Sequence, residues 1–232
     1  PYIASLLGGK SEEEIVRELD GVIYENPLET ARNGGVAVYE TADEYLSGDI
    51  LQKIHIAQIA DGDMPGKYAK NVEALEKVMP QRLTASEITV RLGTPWIDPQ
   101  YIKQFIAELL EPNHYFVENT LGVTYVEMNA EWRIIGARQD KFNTKANETY
   151  GTAFASAYDL IEDALNGKTT RIYKTVTDAE GKERRELDAQ ATAAAQQKQE
   201  IIKDKFKDWI FRDLDRREYL VDKYNRLFNN IR

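Results

Sequence analysis

Cysteine is absent from the 232 residues, and histidine occurs only twice, at His55 and His114. The first absence excludes disulfides, thiolate metal sites and cysteine nucleophiles. The second excludes a histidine-rich metal centre, since the two residues lie far apart with no partner at metal-ligand spacing. Long apolar runs are missing too: nothing approaches the roughly 20 residues that a membrane helix needs. The first residues, Pro1 to Leu7, lack the basic lead of a secretory signal. No Gly-x-Ser-x-Gly elbow and no Gly-x-Gly-x-x-Gly loop occurs. What is present suits a folded chain: 42% hydrophobic, 30% charged and 10% aromatic residues place it outside the disordered class. The length fits one large domain or two small ones. A soluble, cytoplasmic protein without membrane contact is expected.

Positive charge is scarce. The net charge is −9, which does not suit a chain that binds phosphate over its whole surface. The imbalance is uneven: −8 over residues 1–80, −2 over 81–150 and +1 over 151–232. Any nucleic-acid contact is therefore expected in the last third; the competing reading is a solvated surface of mixed charge.

Helix punctuation divides the chain. Ser11 with Glu14, Thr41 with Glu44 and Thr84 with Glu87 each have capping-box spacing, with Gly21 and Gly93 as stops for the first and third helices. Val22 to Tyr24 and Val36 to Tyr39 read as strands, with Asn26-Pro27 and Asn33-Gly34-Gly35 as turns. Ile50, Ile54 and Ala57 begin an apolar stripe, residues 61–66 read as a loop, and Tyr68 to Val78 is helical by pattern. Asp98-Pro99 opens a helix with Ile102, Phe105, Ile106, Leu109 and Leu110 on one face, and Pro112 stops it. Tyr115 to Val117, Val123 to Val126 and Trp132 to Ile135 read as strands, with residues 119–122 as a turn. Helices are expected from Thr152 to Leu165, from Ala189 to Phe211 and from Asp215 along a stripe reaching Ile231. A polar hairpin is expected between Thr170 and Leu187. The fold class is α+β, mainly α, ending in a long helical hairpin. Residues 11–39 and 84–126 both run capped helix then hairpin, the order of a winged helix, although many unrelated α+β units share it. Three regions follow: 1–80 and 81–150 as helix-plus-hairpin modules, and 151–232 as a mainly helical region with a basic edge.

Most tempting motifs fail on chemistry. Gly9-Lys10-Ser11 has the end of a phosphate-binding loop, but Ala4 stands where its first glycine belongs, and Ser11 is better explained as a cap. Glu73, Glu76 and Lys77 offer two carboxylates and an amine, yet i,i+4 pairing on an amphipathic helix accounts for them. Asn26-Pro27 is followed by Leu28 and Glu29, so the aromatic that holds a flipped base in an Asn-Pro-Pro-Tyr loop is missing.

Residues 198–217 hold more. Ile202, Phe206, Trp209 and Ile210 share one helical stripe, with Lys198, Lys205 and Arg212 along one edge and Lys203 and Lys207 along the other. Arg216 and Arg217 follow. These seven are the candidate DNA contacts, against the plainer reading that the lysines bury their stems beside the core and keep their heads wet. No catalytic or metal residue is assigned.

Several long stretches are specific in wording: residues 39–49 (YETADEYLSGD), 71–80 (NVEALEKVMP), 87–101 (EITVRLGTPWIDPQY), Tyr150-Gly151-Thr152 with Ala157-Tyr158, and 194–230 (AAQQKQEIIKDKFKDWIFRDLDRREYLVDKYNRLFNN). Together they resemble the middle region of very large phage and integrative-conjugative-element proteins that join an N6-adenine DNA methyltransferase to a Swi/Snf-type (Snf2, superfamily 2) helicase. The resemblance covers essentially the whole chain. It implies a bacterial, cytoplasmic parent that uses ATP with Mg²⁺ and S-adenosylmethionine, an internal stretch that binds neither cofactor, and flanking methyltransferase and helicase domains as partners on DNA. The expected function is a non-catalytic connecting region that positions DNA or couples the two engines. The alternatives are a protein-interaction scaffold without DNA contact, a target-recognition domain for the methyltransferase, and a free-standing hydrolase.

Overall fold

A computed structural model describes residues 10–177 and 181–232. Three expectations fall partly outside the described residues: the unled start at Pro1 to Leu7, Gly9 of the phosphate-loop comparison, and the hairpin stretch at Asp178 to Glu180. The fold is α+β and mainly α, with three separate two-stranded antiparallel sheets among the described residues. The chain divides into two compact units, Pro1–Thr84 with Asp222–Arg232, and Ala85–Val221.

In the first unit, α1 (Glu12–Glu18) starts on the Ser11–Glu14 capping box that the spacing predicts. Strand β1 (Ile23–Glu25), helix α2 (Pro27–Arg32) and strand β2 (Tyr39–Thr41) follow, with Tyr24 opposite Glu40 in an antiparallel pair. Asn26-Pro27 is thus a helix start rather than a turn: the Asn26 amide oxygen accepts from the Leu28 and Glu29 N–H groups at 3.0 and 3.2 Å, and Pro27 takes the first helical position. The expected hairpin is two strands with a helix between them. Thr41 caps α3 (Ala42–Tyr45), and Asp49 caps α4 (Ile50–Asp63). Helix α4 takes in Asp61 to Asp63 of the expected loop, residues 64–66 remain non-helical, and the Asp61 carboxylate accepts the Tyr68 N–H at 2.8 Å, tying the helix end to the start of α5 (Ala69–Val78). Tyr45, Ile50, Ala57 and Leu75 form the core, and Tyr24 stacks on Tyr45 with ring centroids 5.3 Å apart. The C-terminal residues close this unit. The Ile50 N–H donates to the Asn230 carbonyl, Gly48 and Arg232 exchange two backbone bonds, and the Asn225 side chain pairs both backbone groups of Leu83.

The second unit opens with a correction. No helix follows the Thr84–Glu87 spacing; residues 85–97 are irregular. Ile88, Val90 and Leu92 are buried and alternate with exposed residues, the period of extended chain, and the β-branched Ile88-Thr89-Val90 run favours it. Gly93 is not a helix stop. It has φ +95°, and a Cβ there would collide with the Leu165 carbonyl. Helix α6 (Pro99–Leu110) starts with Pro99 at its first position as expected, but the Asp98 side chain makes no capping hydrogen bond. Helix α7 (His114–Asn119) replaces the strand expected at Tyr115 to Val117, because the Asn113 side chain accepts the Tyr115 N–H at 2.8 Å and Phe116 packs edge-on against Tyr158. The winged-helix order expected over 84–126 is therefore not met. Two helices precede strands β3 (Gly122–Val126) and β4 (Glu131–Ile135), which pair with Tyr125 opposite Trp132.

A 3₁₀ turn (Ala137–Asp140) and a π turn (Lys145–Thr149) lead to α8 (Ala157–Leu165). This helix begins five residues later than expected, since Thr152 accepts from the Phe154 and Ala155 N–H groups in a turn and Ser156 makes the capping box with Asp159; Phe154 is left exposed. Strands β5 (Tyr173–Thr177) and β6 (Glu183–Leu187) form the expected polar hairpin, and α9 (Ala189–Ile210) and α10 (Leu214–Phe228) form the long C-terminal helix pair. Ile231 does not extend the α10 stripe; it bridges to Asp49.

Candidate nucleic-acid interface

Helix α9 carries four of the seven basic candidates, Lys198, Lys203, Lys205 and Lys207, between or beside its core positions. Thr192, Ala195, Gln199, Ile202, Phe206, Trp209 and Ile210 are buried, at spacings of three and four, so the stripe expected from 202 to 210 extends along the helix. Phe105 of α6 meets Phe206 edge-on at 5.2 Å and Trp209 at 5.4 Å.

That packing decides what the cations can do. Lys198 is committed: its ammonium donates to the Thr149 and Glu148 carbonyls at 2.7 and 3.3 Å, capping the end of the π turn. Lys203 pairs with Glu200 at 2.7 Å. Arg212 donates to the Glu108 carboxylate at 3.0 Å, and the Trp209 indole N–H donates to the same oxygen at 2.7 Å. Arg216, expected on the basic edge, is buried instead at 7% exposure. Its guanidinium donates to the Ile210 and Trp209 carbonyls at 2.9 and 2.8 Å, satisfying the end of α9. Burial lowers its pKa, while Asp213 and Glu108 act in the opposite sense. Lys205, Lys207 and Arg217 are exposed and have no ion-pair partner among the described residues. Lys205 and Lys207 are two residues apart, about 200° around the helix, so they do not form one strip. The edge expected to track a phosphate backbone is therefore discontinuous. A groove of about 350 Å³ beside it, lined by Glu108, Glu111, Asp208, Lys145, Lys205 and Arg212, is balanced in charge and does not select for an anion.

The α8–α9 pair also holds the base of the β5–β6 hairpin. The buried Gln199 amide donates to the Leu160 carbonyl, the Lys168 carbonyl and the Thr170 hydroxyl, at 3.1 to 3.3 Å. Thr170 in turn donates to Asp163 at 2.7 Å. Thr192 accepts the Ile172 N–H at 3.0 Å, and the Asp188 N–H donates to the Ile172 carbonyl at 2.9 Å. Beyond that base the hairpin carries Lys174, Arg184 and Arg185, none of them among the sequence-derived candidates. The available signal was a strand pair without an apolar alternation, which has no core face of its own.

The remaining motifs read simply. Glu73 and Lys77 make an exposed i,i+4 ion pair at 2.7 Å, whose hydrogen bond lowers the glutamate pKa and raises that of the lysine. Ser11 is a cap, and His55 and His114 are exposed, the latter 3.4 Å from Glu118. Among the described residues no group of three or more His, Asp or Glu side chains is placed to hold a metal ion, and no helix is long and apolar enough to cross a membrane.

Residues 91–230 match the family described as a domain of unknown function (DUF8437). The chain belongs to that family. Residues 1–40 match a second family, described as the winged helix domain of a probable helicase, so the first module is similar to a helicase-associated winged helix. Within the described part of that match lie α1, β1, α2 and the start of β2. No curated protein and no solved structure matches the chain. The DUF8437 match takes in α6 to α10 and with them every basic candidate.

Proposed function

We propose that this chain is a non-catalytic connecting region of a DNA methylase–helicase, coupling a methyltransferase to a Swi/Snf-type helicase and helping to position DNA for them. The observation that carries this reading is the match of residues 1–40 to a helicase winged helix, on a chain whose long sequence words resemble the middle of such fusions. The shift of charge from −8 over residues 1–80 to +1 over 151–232 supports a division of labour: the acidic first module suits a protein partner, and the last third suits a polyanion. In this reading ATP with Mg²⁺ and S-adenosylmethionine belong to the flanking engines of a phage or mobile-element protein.

The parent reading frame tests the connection. A methyltransferase upstream and helicase motifs downstream are expected, and a frame with neither overturns it. Assays of the purified chain with Mg²⁺ are expected to give no ATPase and no nuclease activity. A scaffold without DNA contact is the second reading, favoured by the committed Lys198 and Lys203 of α9, the paired Arg212 and the buried Arg216 of α10. It predicts no duplex binding even at low salt, whereas the first reading predicts binding that weakens steeply as salt rises.

A further inference from the structure

The β5–β6 hairpin is a two-stranded ribbon with almost no core face. Of its ten strand residues only Val176 is half-buried; the others are exposed. An isolated pair of short strands is marginal in water. This one is held at its root by the Gln199–Thr170–Asp163 network and the Thr192 and Asp188 bonds to Ile172. A rigid root with an uncovered ribbon is what a contact element needs, because the ordering cost is met before the ligand arrives.

The strands lean positive. Their ten residues hold Lys174, Arg184 and Arg185 against Glu183 and Glu186, net +1, where the whole chain is −9. The register puts Tyr173, Thr175 and Thr177 on one face with Leu187, Arg185 and Glu183, and Lys174 and Val176 on the other with Glu186 and Arg184. Both faces thus carry a cation. Lys174, Arg184 and Arg185 have no ion-pair partner among the described residues, and the Arg185 guanidinium lies 5.0 Å from the centroid of the exposed Tyr173 ring. A protein-docking face would carry an apolar centre; here Tyr173 and Leu187 sit together at the root, and the rest is polar.

We propose that the β5–β6 ribbon is the duplex-DNA contact of this chain, entering a groove with Lys174, Arg184 and Arg185 on the flanking phosphates. The major groove, about 12 Å wide, admits a two-stranded ribbon. A ribbon between two phosphate rows meets negative charge on both faces, matching the placement of the cations. Five residues per strand span about 17 Å, enough to reach across several base pairs.

This assignment rests on the DNA-positioning reading and is tested with the whole chain. Fluorescence anisotropy with a labelled duplex is measured across a salt series for the unaltered chain, for a Lys174→Gln, Arg184→Gln, Arg185→Gln variant, and for a Lys205→Gln, Lys207→Gln, Arg217→Gln variant. The ribbon variant is expected to bind about tenfold or more weakly at low salt and to lose about 2 to 3 from the slope of log K against log salt. Its thermal melt should be unchanged, since the altered side chains are exposed. The helix variant is expected to change binding little. If the unaltered chain binds no duplex, the DNA-positioning reading and the ribbon assignment fall together. If it binds and only the helix variant loses affinity, or neither variant does, the ribbon assignment alone is overturned. Preference for a single strand of the same sequence over the duplex also overturns it.

Discussion

Arg216 lies with its guanidinium carbon 3.5 Å from the centroid of the Trp209 ring while its N–H groups satisfy the last carbonyls of α9. One side chain thus joins a cation–π contact to a helix cap, and it is withdrawn from any phosphate. Arg216→Met keeps the apolar stem and removes both functions. The expected cost is about 2–3 kcal/mol, read as a shift in urea midpoint, with duplex affinity at low salt unchanged. A variant of unaltered stability that loses DNA binding would reverse the assignment.

Gly93 stands where the backbone has φ +95° and comes against the Leu165 carbonyl, and its own carbonyl accepts the Trp132 indole N–H at 3.1 Å. Gly93→Ala is expected to destabilise by about 2–4 kcal/mol, through both strain and collision. Thermal denaturation checks it. A change under about half a kcal/mol, the size of an ordinary surface substitution, would mean that the close approach is absent in solution.

Gln199 is 1% exposed and supplies a donor to the buried Leu160 carbonyl and to the part-buried Lys168 carbonyl. Gln199→Leu preserves the volume and leaves the Leu160 and Lys168 carbonyls without it, at an expected cost of about 1–3 kcal/mol. Amide exchange should accelerate first at Ile172 and Asp188, at the hairpin root. Uniform acceleration over the whole second unit would show that the network serves general stability rather than the ribbon.

Tyr158 is buried, and its hydroxyl donates to Asp140 at 2.7 Å. Burial first, then the hydrogen bond and negative charge of Asp140, raise its pKa well above the usual tyrosine value of 10.0. The unfolded chain therefore releases this proton at lower pH than the folded one. The contribution is intact below pH 10 and is lost as pH rises above that value toward the folded pKa. Tyr158→Phe should flatten the fall of urea stability with pH in the alkaline range. An identical slope in both proteins would show that Tyr158 does not titrate late.

Local chemistry was legible where one side chain settles one backbone group. Ser11 and Thr41 each cap the helix that follows, and Pro99 takes the first position of α6. The stripe on α9 was legible because burial follows the helical period. The Thr84–Glu87 spacing misled because Ile88, Val90 and Leu92 find their burial as extended chain. Tyr115 to Val117 misled because three β-favouring residues weigh less than the Asn113 cap and the packing of Phe116 on Tyr158.

The amino-acid sequence by itself determined the α+β, mainly helical class, the absence of thiol chemistry, and the positions of most helix starts, because these depend on composition and on bonds between near neighbours in the chain. Only the tertiary structure decided which cations are free. Lys198, Arg212 and Arg216 reach groups that folding brings to them, among them Thr149, Glu108 and the ring of Trp209. Lys174, Arg184 and Arg185 have no ion-pair partner among the described residues, because the strands that carry them are exposed except at Val176. A charge acquires its role from the partners that enter its reach, and helical spacing alone does not specify them.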